Sequence, residues 1–199
     1  METLILARHA LAGSNRDRIA SCIVPGEGLT PEGVQQARAL GVELAEVDIA
    51  LAATTELART QETLGLALHG RDVPTLIVPE LNEIRFGSFD GGLLDTYRAW
   101  AAEQSPSQRA PGGGESRADV AARFARGLRV LLAVDGGTIL LVGHALALRY
   151  VLDAAEGLAP AALMRPVEHA HPYWLDRARV ERAAALLQAW SLAPQFRAA

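Results

Sequence analysis

The chain has 199 residues, a length that suits one α/β domain with a full hydrophobic core. Half of its residues are hydrophobic and its formal net charge is −4, so no broad positive field attracts nucleic acid or an anionic lipid surface. All 19 basic residues are arginine, which excludes phosphate-loop NTPases, pyridoxal-phosphate Schiff bases and lysine general bases, because each needs an ammonium group.

Apolar, β-rich runs alternate with helical patterns along the chain. Strands are predicted at 3–7, 48–53, 75–78 and 138–142, and helices at about 30–46, 56–68, 92–104, 115–134 and 145–156. This alternation predicts a single α/β domain over residues 1–199, with a mostly parallel sheet and helices on both faces. Near the end, 173–175 and 186–190 are predicted as two further strands, separated by Arg-rich polar sequence.

Two local signals mark boundaries between these elements. Thr30 followed by Pro31 predicts a helix N-cap with proline in the first turn. Residues 105–114 are rich in serine, proline and glycine, which predicts a loop. This loop is too short to be a linker between domains.

An Arg-His pair, Arg8 and His9, follows the first predicted strand. If 3–7 is a strand of an open α/β sheet, its carboxyl end is where such sheets bind ligands, so the position suggests chemistry. A two-residue motif arises easily by chance, however, and an ordinary loop is the alternative interpretation.

Four further segments add to this pair. They are Ala53 to Thr63, Leu81 to Gly91, Pro111 to Ser116, and Val142 to Ala145. In order and spacing, these segments, the Arg8-His9-Ala10 run and the helix start at 29–33 resemble the histidine phosphatase superfamily, in its phosphoglycerate mutase-like group. The resemblance covers residues from about 3 to 157 and implies that group's fold.

The resemblance implies a phosphoryl-transfer site without metal or cofactor. Neutral His9 is the implied nucleophile and forms a phosphohistidine, which divides the reaction into two steps. Arg8, Arg59 and His144 are implied to surround the phosphoryl oxygens and stabilise their charge. Positive charge near His9 also opposes its protonation.

The remaining implied roles concern the leaving group and the phosphate. Glu83 is implied to donate a proton to the leaving alkoxide, and later to take one from the attacking water. Asn15 is implied to donate an amide hydrogen bond to the phosphate. The backbone N–H of Ala145, at a predicted helix N-terminus, is implied to do the same.

Taken singly, these residues have ordinary structural interpretations. Arg59 and Glu83 would be surface charges, and His144, after a buried strand, would be a hydrogen-bonded core histidine. The family pattern favours the functional interpretation for all three. Glu115 and Ser116 are interpreted as structural, at the start of a helix with an acid in its first turn.

The first motif departs from the family pattern. Ala10 stands where glycine is usual, while Leu11 and Ala12 replace an acidic residue and a hydroxyl, so we expect a more apolar pocket mouth. Ala10 is acceptable if its φ is negative. Ala145 likewise replaces a glycine that often follows the second histidine.

We therefore predict a metal-independent phosphatase acting on a small phosphorylated metabolite. A phosphoglycerate mutase-type phosphotransferase is disfavoured, because the segment between Glu83 and His144 is shorter than in the glycolytic mutases. A protein phosphohistidine phosphatase would need a wide, shallow site, which a predicted cap at about 90–113 opposes. A catalytically silent ligand-binding domain is the third alternative, and the intact His9, Arg59, Glu83 and His144 argue against it.

The other expectations concern cysteine, histidine and location. A lone Cys22 cannot form an internal disulfide. His169 and His171 are conceivable metal ligands, but a solvated turn before Pro172 is favoured. With apolar runs far shorter than a membrane span and a first strand close behind Met1, we expect a cytoplasmic protein without membrane or nucleic-acid partners. The sequence predicts neither the individual substrate nor an oligomeric state.

Overall fold

A computed structural model describes residues 1–197, which form five strands and seven α-helices. The strands are β1 (Thr3–Arg8), β2 (Ile49–Thr54), β3 (Thr75–Ile77), β4 (Thr138–Gly143) and β5 (Pro172–Asp176). The helices are α1 (Gly13–Arg16), α2 (Pro31–Glu43), α3 (Ala58–Ala67), α4 (Leu94–Ala102), α5 (Arg117–Leu132), α6 (Ala145–Ala155) and α7 (Arg177–Leu192). Two short 3-10 turns, Pro79–Leu81 and Gly87–Phe89, lie between β3 and α4.

The strands form one sheet in the order β3-β2-β4-β1-β5. The pairs β2–β3, β2–β4 and β1–β4 are parallel, whereas β5 runs antiparallel to β1 at the sheet edge. The predicted α/β class with a mostly parallel sheet is therefore confirmed. β1 and β4 are inner strands, and their near-continuous apolar sequences reflect burial on both faces.

Alternate residues of β1 face two separate apolar clusters. Leu4 and Leu6 belong to the cluster that includes α5, α6 and α7, while Ile5 and Ala7 belong to the cluster with α2 and α3. This follows from the two-residue period of a strand. Helices thus cover both faces of the sheet, as the alternating sequence pattern predicts.

The predicted start of α2 is also confirmed. Thr30 is its N-cap, with Oγ1 accepting a hydrogen bond from the Gly33 N–H at 3.0 Å, and Pro31 is the first helical residue. Ser116 caps α5 in the same way and forms a capping box with Asp119. The structural interpretation of Ser116 therefore agrees with its position.

The predicted strand at 186–190 is wrong, because these residues lie inside α7. The buried positions of this helix are Val180, Ala183, Ala184, Leu187 and Trp190. Their spacing is helical, so the apolar residues of 186–190 continue a stripe that begins in the Arg-rich segment. The other late prediction, a strand over 173–175, is confirmed as β5.

Two of the motif segments pack against each other through their backbones. The Ser88 N–H donates to the Pro111 carbonyl at 2.8 Å, and the Glu115 N–H donates to the Arg85 carbonyl at 2.9 Å. Gly87 has a φ of 60°, and a Cβ there would collide with the Pro111 oxygen. Only glycine permits this approach, which ties the segment after Glu83 to the loop before α5.

Candidate active site

The pairing of β1 with β4 brings the two motif histidines together. Arg8 lies opposite Gly143 in this parallel pair, and the His9 N–H donates to the Gly143 carbonyl at 2.9 Å. His9 directly follows β1 and His144 directly follows β4, and the centroids of their rings are 5.4 Å apart. Both therefore lie at the carboxyl edge of the sheet, where open α/β sheets bind ligands.

His9 is held in one tautomer by its own backbone. Its Nδ1 lies 2.7 Å from the Ala10 carbonyl oxygen, which only accepts, so Nδ1 carries the hydrogen and Nε2 keeps its lone pair. Burial lowers the pKa of His9 well below its usual value, and the positive charges of Arg59 and Arg8 lower it further. The imidazole is therefore neutral at physiological pH.

The direction of a chain of hydrogen bonds fixes the tautomer of buried His144. Thr60 Oγ1 donates to the Leu57 carbonyl at 2.7 Å, so it accepts from Thr55 Oγ1 at 2.8 Å. Thr55 in turn accepts from His144 Nε2 at 3.0 Å. The His144 Nδ1 lone pair then faces the Arg59 guanidinium, whose NH2 lies at 3.4 Å.

Arg8 and Arg59 are each anchored by one carbonyl group. Arg8 NH1 donates to the Val167 oxygen at 2.9 Å, and Arg59 NH2 donates to the Ser21 oxygen at 3.0 Å. Within residues 1–197, Arg8 Nε and both Nε and NH1 of Arg59 are buried without a hydrogen-bond partner. Buried donors are nearly always paired, so these N–H groups mark where an acceptor ligand fits.

Burial lowers the pKa of both arginines, to about 10 for Arg8, while the nearby carboxyl group of Glu83 opposes the shift. Both guanidinium groups are therefore cationic at neutral pH. The site presents two positive charges in a region of low solvent exposure, where electrostatic interactions are stronger than in water.

Glu83 approaches the same point from the loop after β3. Its Oε2 lies 3.9 Å from His144 Nδ1. Burial lowers the pKa of His144 well below its usual value, and the charge of Arg59 adds to the shift, so this contact joins the Glu83 carboxyl group to a neutral ring. It is a close approach and not an ion pair.

Arg123, on α5, holds the backbone of the Glu83 loop. Its guanidinium donates to the carbonyls of Glu80, Asn82 and Glu83 at 2.9, 2.8 and 3.2 Å, and to both carboxylate oxygens of Glu115. Burial opposes ionisation of Glu115, but the hydrogen bonds from Arg123 keep its pKa below the usual value. Glu115 is thus structural, as predicted, and sequence reasoning missed Arg123.

A cavity opens above the two histidines, which are buried and do not line it. Its lining includes the predicted site residues Arg8, Asn15, Arg59, Glu83 and Ala145. Most of its apolar lining comes from Ile19, Ile84, Phe86, Leu94, Leu146 and Met164. Four of the five predicted phosphate-binding residues, Arg8, Asn15, Arg59 and Ala145, therefore line one space, beside an apolar wall and two further arginines, Arg98 and Arg117. The fifth, His144, is buried and does not line it.

The expected effect of Leu11 and Ala12 on the pocket mouth is wrong, since neither residue lines this cavity. The Leu11 backbone instead accepts from Thr30 and donates to Gln36 Oε1 at 2.9 Å, which fastens the loop to α2. Ala10 does not adopt a positive φ, so its methyl group fits without strain.

The model of the histidine phosphatase superfamily (branch 1) matches residues 4–190. The chain belongs to this superfamily.

Similar proteins include both phosphatases and mutases. The adenosylcobalamin/alpha-ribazole phosphatase of Salmonella typhimurium is 31% identical over 150 residues, which cover 71% of this chain and 73% of that protein. The 2,3-bisphosphoglycerate-dependent phosphoglycerate mutase of Xanthobacter autotrophicus is 34% identical over 178 residues, 81% of this chain and 84% of that protein. The crystal structure of the alpha-ribazole phosphatase from Shigella flexneri superposes with a TM-score of 0.75 at 27% identity, covering 87% and 90% of the two chains. Family membership and these relatives support a phosphatase or a mutase.

His169 was missed by sequence reasoning, and its predicted place in a solvated turn is wrong. It forms an isolated bridge with Arg8, its Nδ1–H donates to the His9 carbonyl at 2.7 Å, and the two histidine rings meet edge to face with centroids 5.5 Å apart. His171 is exposed, as predicted. Only the long-range pairing of β1 with β5 could have placed His169 here.

We expect the stability of the protein to fall as the pH drops from 6.5 towards 4, in part because of His169. Burial lowers the pKa of His169 from 6.5 to about 4, so in this window the unfolded chain binds a proton that the folded chain does not. A His169→Asn variant should lose less stability than the wild type over the same window, as measured by urea denaturation.

His69 is exposed and provides the matched control. A His69→Asn variant should keep the wild-type pH dependence. If the free energy of unfolding depends on pH in the same way in the wild type and in His169→Asn, His169 is protonated equally in the folded and unfolded states.

Among residues 1–197, no helix combines the length and the apolar character needed to cross a bilayer. In that described part of the chain, no three or more histidine, cysteine, aspartate or glutamate side chains are grouped so as to hold a metal ion.

Proposed function

We propose that this protein is a metal-independent phosphatase that hydrolyses a small phosphorylated metabolite through a phosphohistidine on His9. One observation carries the proposal. A neutral imidazole with a free Nε2 lies beside two arginines whose buried N–H groups lack partners in residues 1–197. A nucleophile and donors for phosphoryl oxygens are the two requirements of phosphoryl transfer.

In the first step, the His9 Nε2 lone pair attacks phosphorus and the bond from phosphorus to the ester oxygen breaks. Arg8 and Arg59 stabilise the charge on the non-bridging oxygens, with Asn15 and the Ala145 N–H as further donors. The departing oxygen takes a proton from the carboxylic acid of Glu83, which lines the same cavity. The alcohol then leaves, and a P–N bond joins the phosphoryl group to His9.

In the second step, water attacks the phosphohistidine. Glu83, now a carboxylate, takes a proton from this water, and the P–N bond breaks to return neutral His9 and inorganic phosphate. The hydrogen bond from His9 Nδ1 to the Ala10 carbonyl supports the first step, because it stabilises the positive charge that the ring acquires on phosphorylation.

His144 has a separate role in this proposal. Its Nδ1 lies between the Arg59 guanidinium and Glu83 Oε2, at 3.4 and 3.9 Å. The neutral ring orients the Arg59 guanidinium group towards the phosphoryl group. The threonine pair below it, Thr55 and Thr60, fixes the ring plane.

The mutase alternative uses the same phosphohistidine and is supported by the similarity to phosphoglycerate mutases. The two activities differ in the acceptor, which is water for a phosphatase and a second alcohol for a mutase. For a protein phosphohistidine phosphatase, the substrate would have to bring a folded surface to His9. The cavity wall formed by α4, within the proposed cap at 90–113, opposes that approach.

Release of inorganic phosphate from a panel of phosphorylated metabolites, measured in the presence of a chelator, tests the proposal. We expect chelator-resistant hydrolysis of at least one member. Phosphate transfer to an added phosphoglycerate without net release would establish a mutase instead. A protein that binds phosphorylated ligands but never turns them over would be the silent domain.

An Arg59→Gln variant should lose about 10²–10³ in kcat/KM for phosphate release, the usual effect of removing one donor to a charged transition state. The exposed Arg38, on α2, provides a control of equal charge change, and Arg38→Gln should keep wild-type activity. Thermal unfolding of both variants separates catalysis from folding. Near-full activity in a folded Arg59→Gln protein would make Arg59 a structural residue.

A further inference from the structure

Four arginines and only one carboxylate line the candidate active-site cavity, in a chain whose net charge is negative. Arg8 and Arg59 lie beside His9 and account for the phosphoryl group. The other two, Arg98 on α4 and Arg117 on α5, lie on helices that bear no residue of the proposed catalytic machinery. Their positive charge has no use in the reaction described above.

Arg117 is a partly buried cation with no carboxylate partner within residues 1–197. Its guanidinium carbon lies 5.9 Å from the centre of the Tyr97 ring, and its NH1 lies 4.0 Å from the sulfur of Met164. These contacts orient the side chain but do not neutralise it. A cation removed from water in this way is costly unless an anion binds it.

Arg98 is exposed and only partly neutralised. Its NH1 lies 3.5 Å from Asp95, a carboxylate that also pairs with Arg18. The charge of Arg98 contributes to lowering the pKa of Arg8, which places Arg98 within electrostatic range of the phosphate-binding arginines. It therefore extends the positive rim of the cavity outwards.

A second cavity adjoins the first. The two share Arg8, Arg98, Arg117, Ala145 and Met164, and the second is closed by residues 162–167. Its other arginine, Arg165, is paired with the buried Asp153 at 2.8 Å. Like Arg8, Arg117 thus lies at the junction between the two spaces without a carboxylate partner in the described residues.

Building on the proposed function, we propose that the substrate carries a second anionic group, either a carboxylate or a second phosphate, and that Arg117 binds it with help from Arg98. The body of the substrate then spans the apolar wall between this group and the phosphate on Arg8 and Arg59. Arg117 is in this sense a specificity-determining residue. It selects doubly anionic phosphomonoesters over those whose far end is neutral.

Two matched pairs of compounds test this inference. Hydrolysis of benzyl phosphate is compared with that of 4-carboxybenzyl phosphate and of a benzyl phosphate bearing a second phosphate at the same position. Binding of the corresponding non-hydrolysable phosphonates is measured by calorimetry. We expect kcat/KM and affinity to be about tenfold or more higher for at least one doubly anionic compound, as one charge-assisted hydrogen bond typically gives.

The discriminating readout is the ratio between doubly and singly anionic compounds in each variant. Arg117→Gln should reduce this ratio by about tenfold, and Arg117→Lys should retain part of it. Arg126 lies exposed on the same helix, and Arg126→Gln should leave the ratio unchanged. Comparison of the carboxylate with the phosphate shows which second group the site accepts.

The outcomes separate this inference from the proposed function. Turnover of benzyl phosphate without any preference for a second charge, or a preference that survives Arg117→Gln, would overturn the inference alone. If no compound is turned over but the doubly anionic phosphonate still binds more tightly than the singly anionic one, the phosphatase proposal is overturned and Arg117 is kept as an anion-binding residue. Absence of turnover together with absence of the phosphonate preference would overturn the phosphatase proposal and the inference about Arg117.

Discussion

Replacement of His9 by alanine is expected to reduce phosphate release by about 10⁴–10⁶-fold, because loss of a covalent nucleophile leaves only the binding and electrostatic contributions. The second motif histidine, His144, cannot substitute for it. His144 is bonded through Nε2 to Thr55, and its Nδ1 faces a guanidinium, so neither nitrogen is free to attack phosphorus.

Wild-type protein quenched during turnover without acid should carry one phosphoryl group on His9, detected by mass spectrometry. Acid is avoided because a P–N bond hydrolyses readily at low pH. His69→Ala, at an exposed position far from the site, is the control and should keep full activity and the label on His9. A label on His144, or turnover surviving in His9→Ala, would contradict the assignment.

The sequence predicted that His9 and His144 lie in the same site, because the position of each depends on one local rule. Each follows an apolar strand directly, and parallel strands end at a common edge of the sheet. The register of β1 and β4 then makes His9 and His144 neighbours. Glu83 and Asn15 follow no such rule, since they lie on a loop and a short helix, and only the family resemblance indicated them.

The errors concern residues whose environment is set by distant parts of the chain. His169 contacts His9 because β5 pairs with β1, and Arg123 holds the Glu83 loop because α5 packs against it. No spacing rule in the sequence encodes either contact. The strand prediction at 186–190 was wrong for another reason. The buried residues of α7 do follow a helical spacing, but the prediction treated the Arg-rich first turns of this helix as a separate polar segment.

Glu83→Gln should slow the first phosphoryl transfer by about 10²–10⁴-fold for an alkyl phosphate, but far less for p-nitrophenyl phosphate. The difference comes from the basicity of the leaving group. An alkoxide is strongly basic and needs a proton as it departs, whereas p-nitrophenolate is stable without one. Glutamine keeps the size and polarity of Glu83 but cannot donate the acidic proton.

The measurement must isolate phosphorylation of the enzyme, because Glu83 is also proposed to act in hydrolysis of the phosphohistidine. Single-turnover rapid mixing with excess enzyme does this for both substrates. Glu103→Gln, at an exposed carboxylate just after α4, is the matched control and should leave both rates unchanged. Equal losses on the two substrates in Glu83→Gln would mean that Glu83 positions the phosphate or its arginines without donating a proton. Glu115 could not take its place, since both of its carboxylate oxygens are bound by Arg123 in the interior, and the proton would then have to come from water.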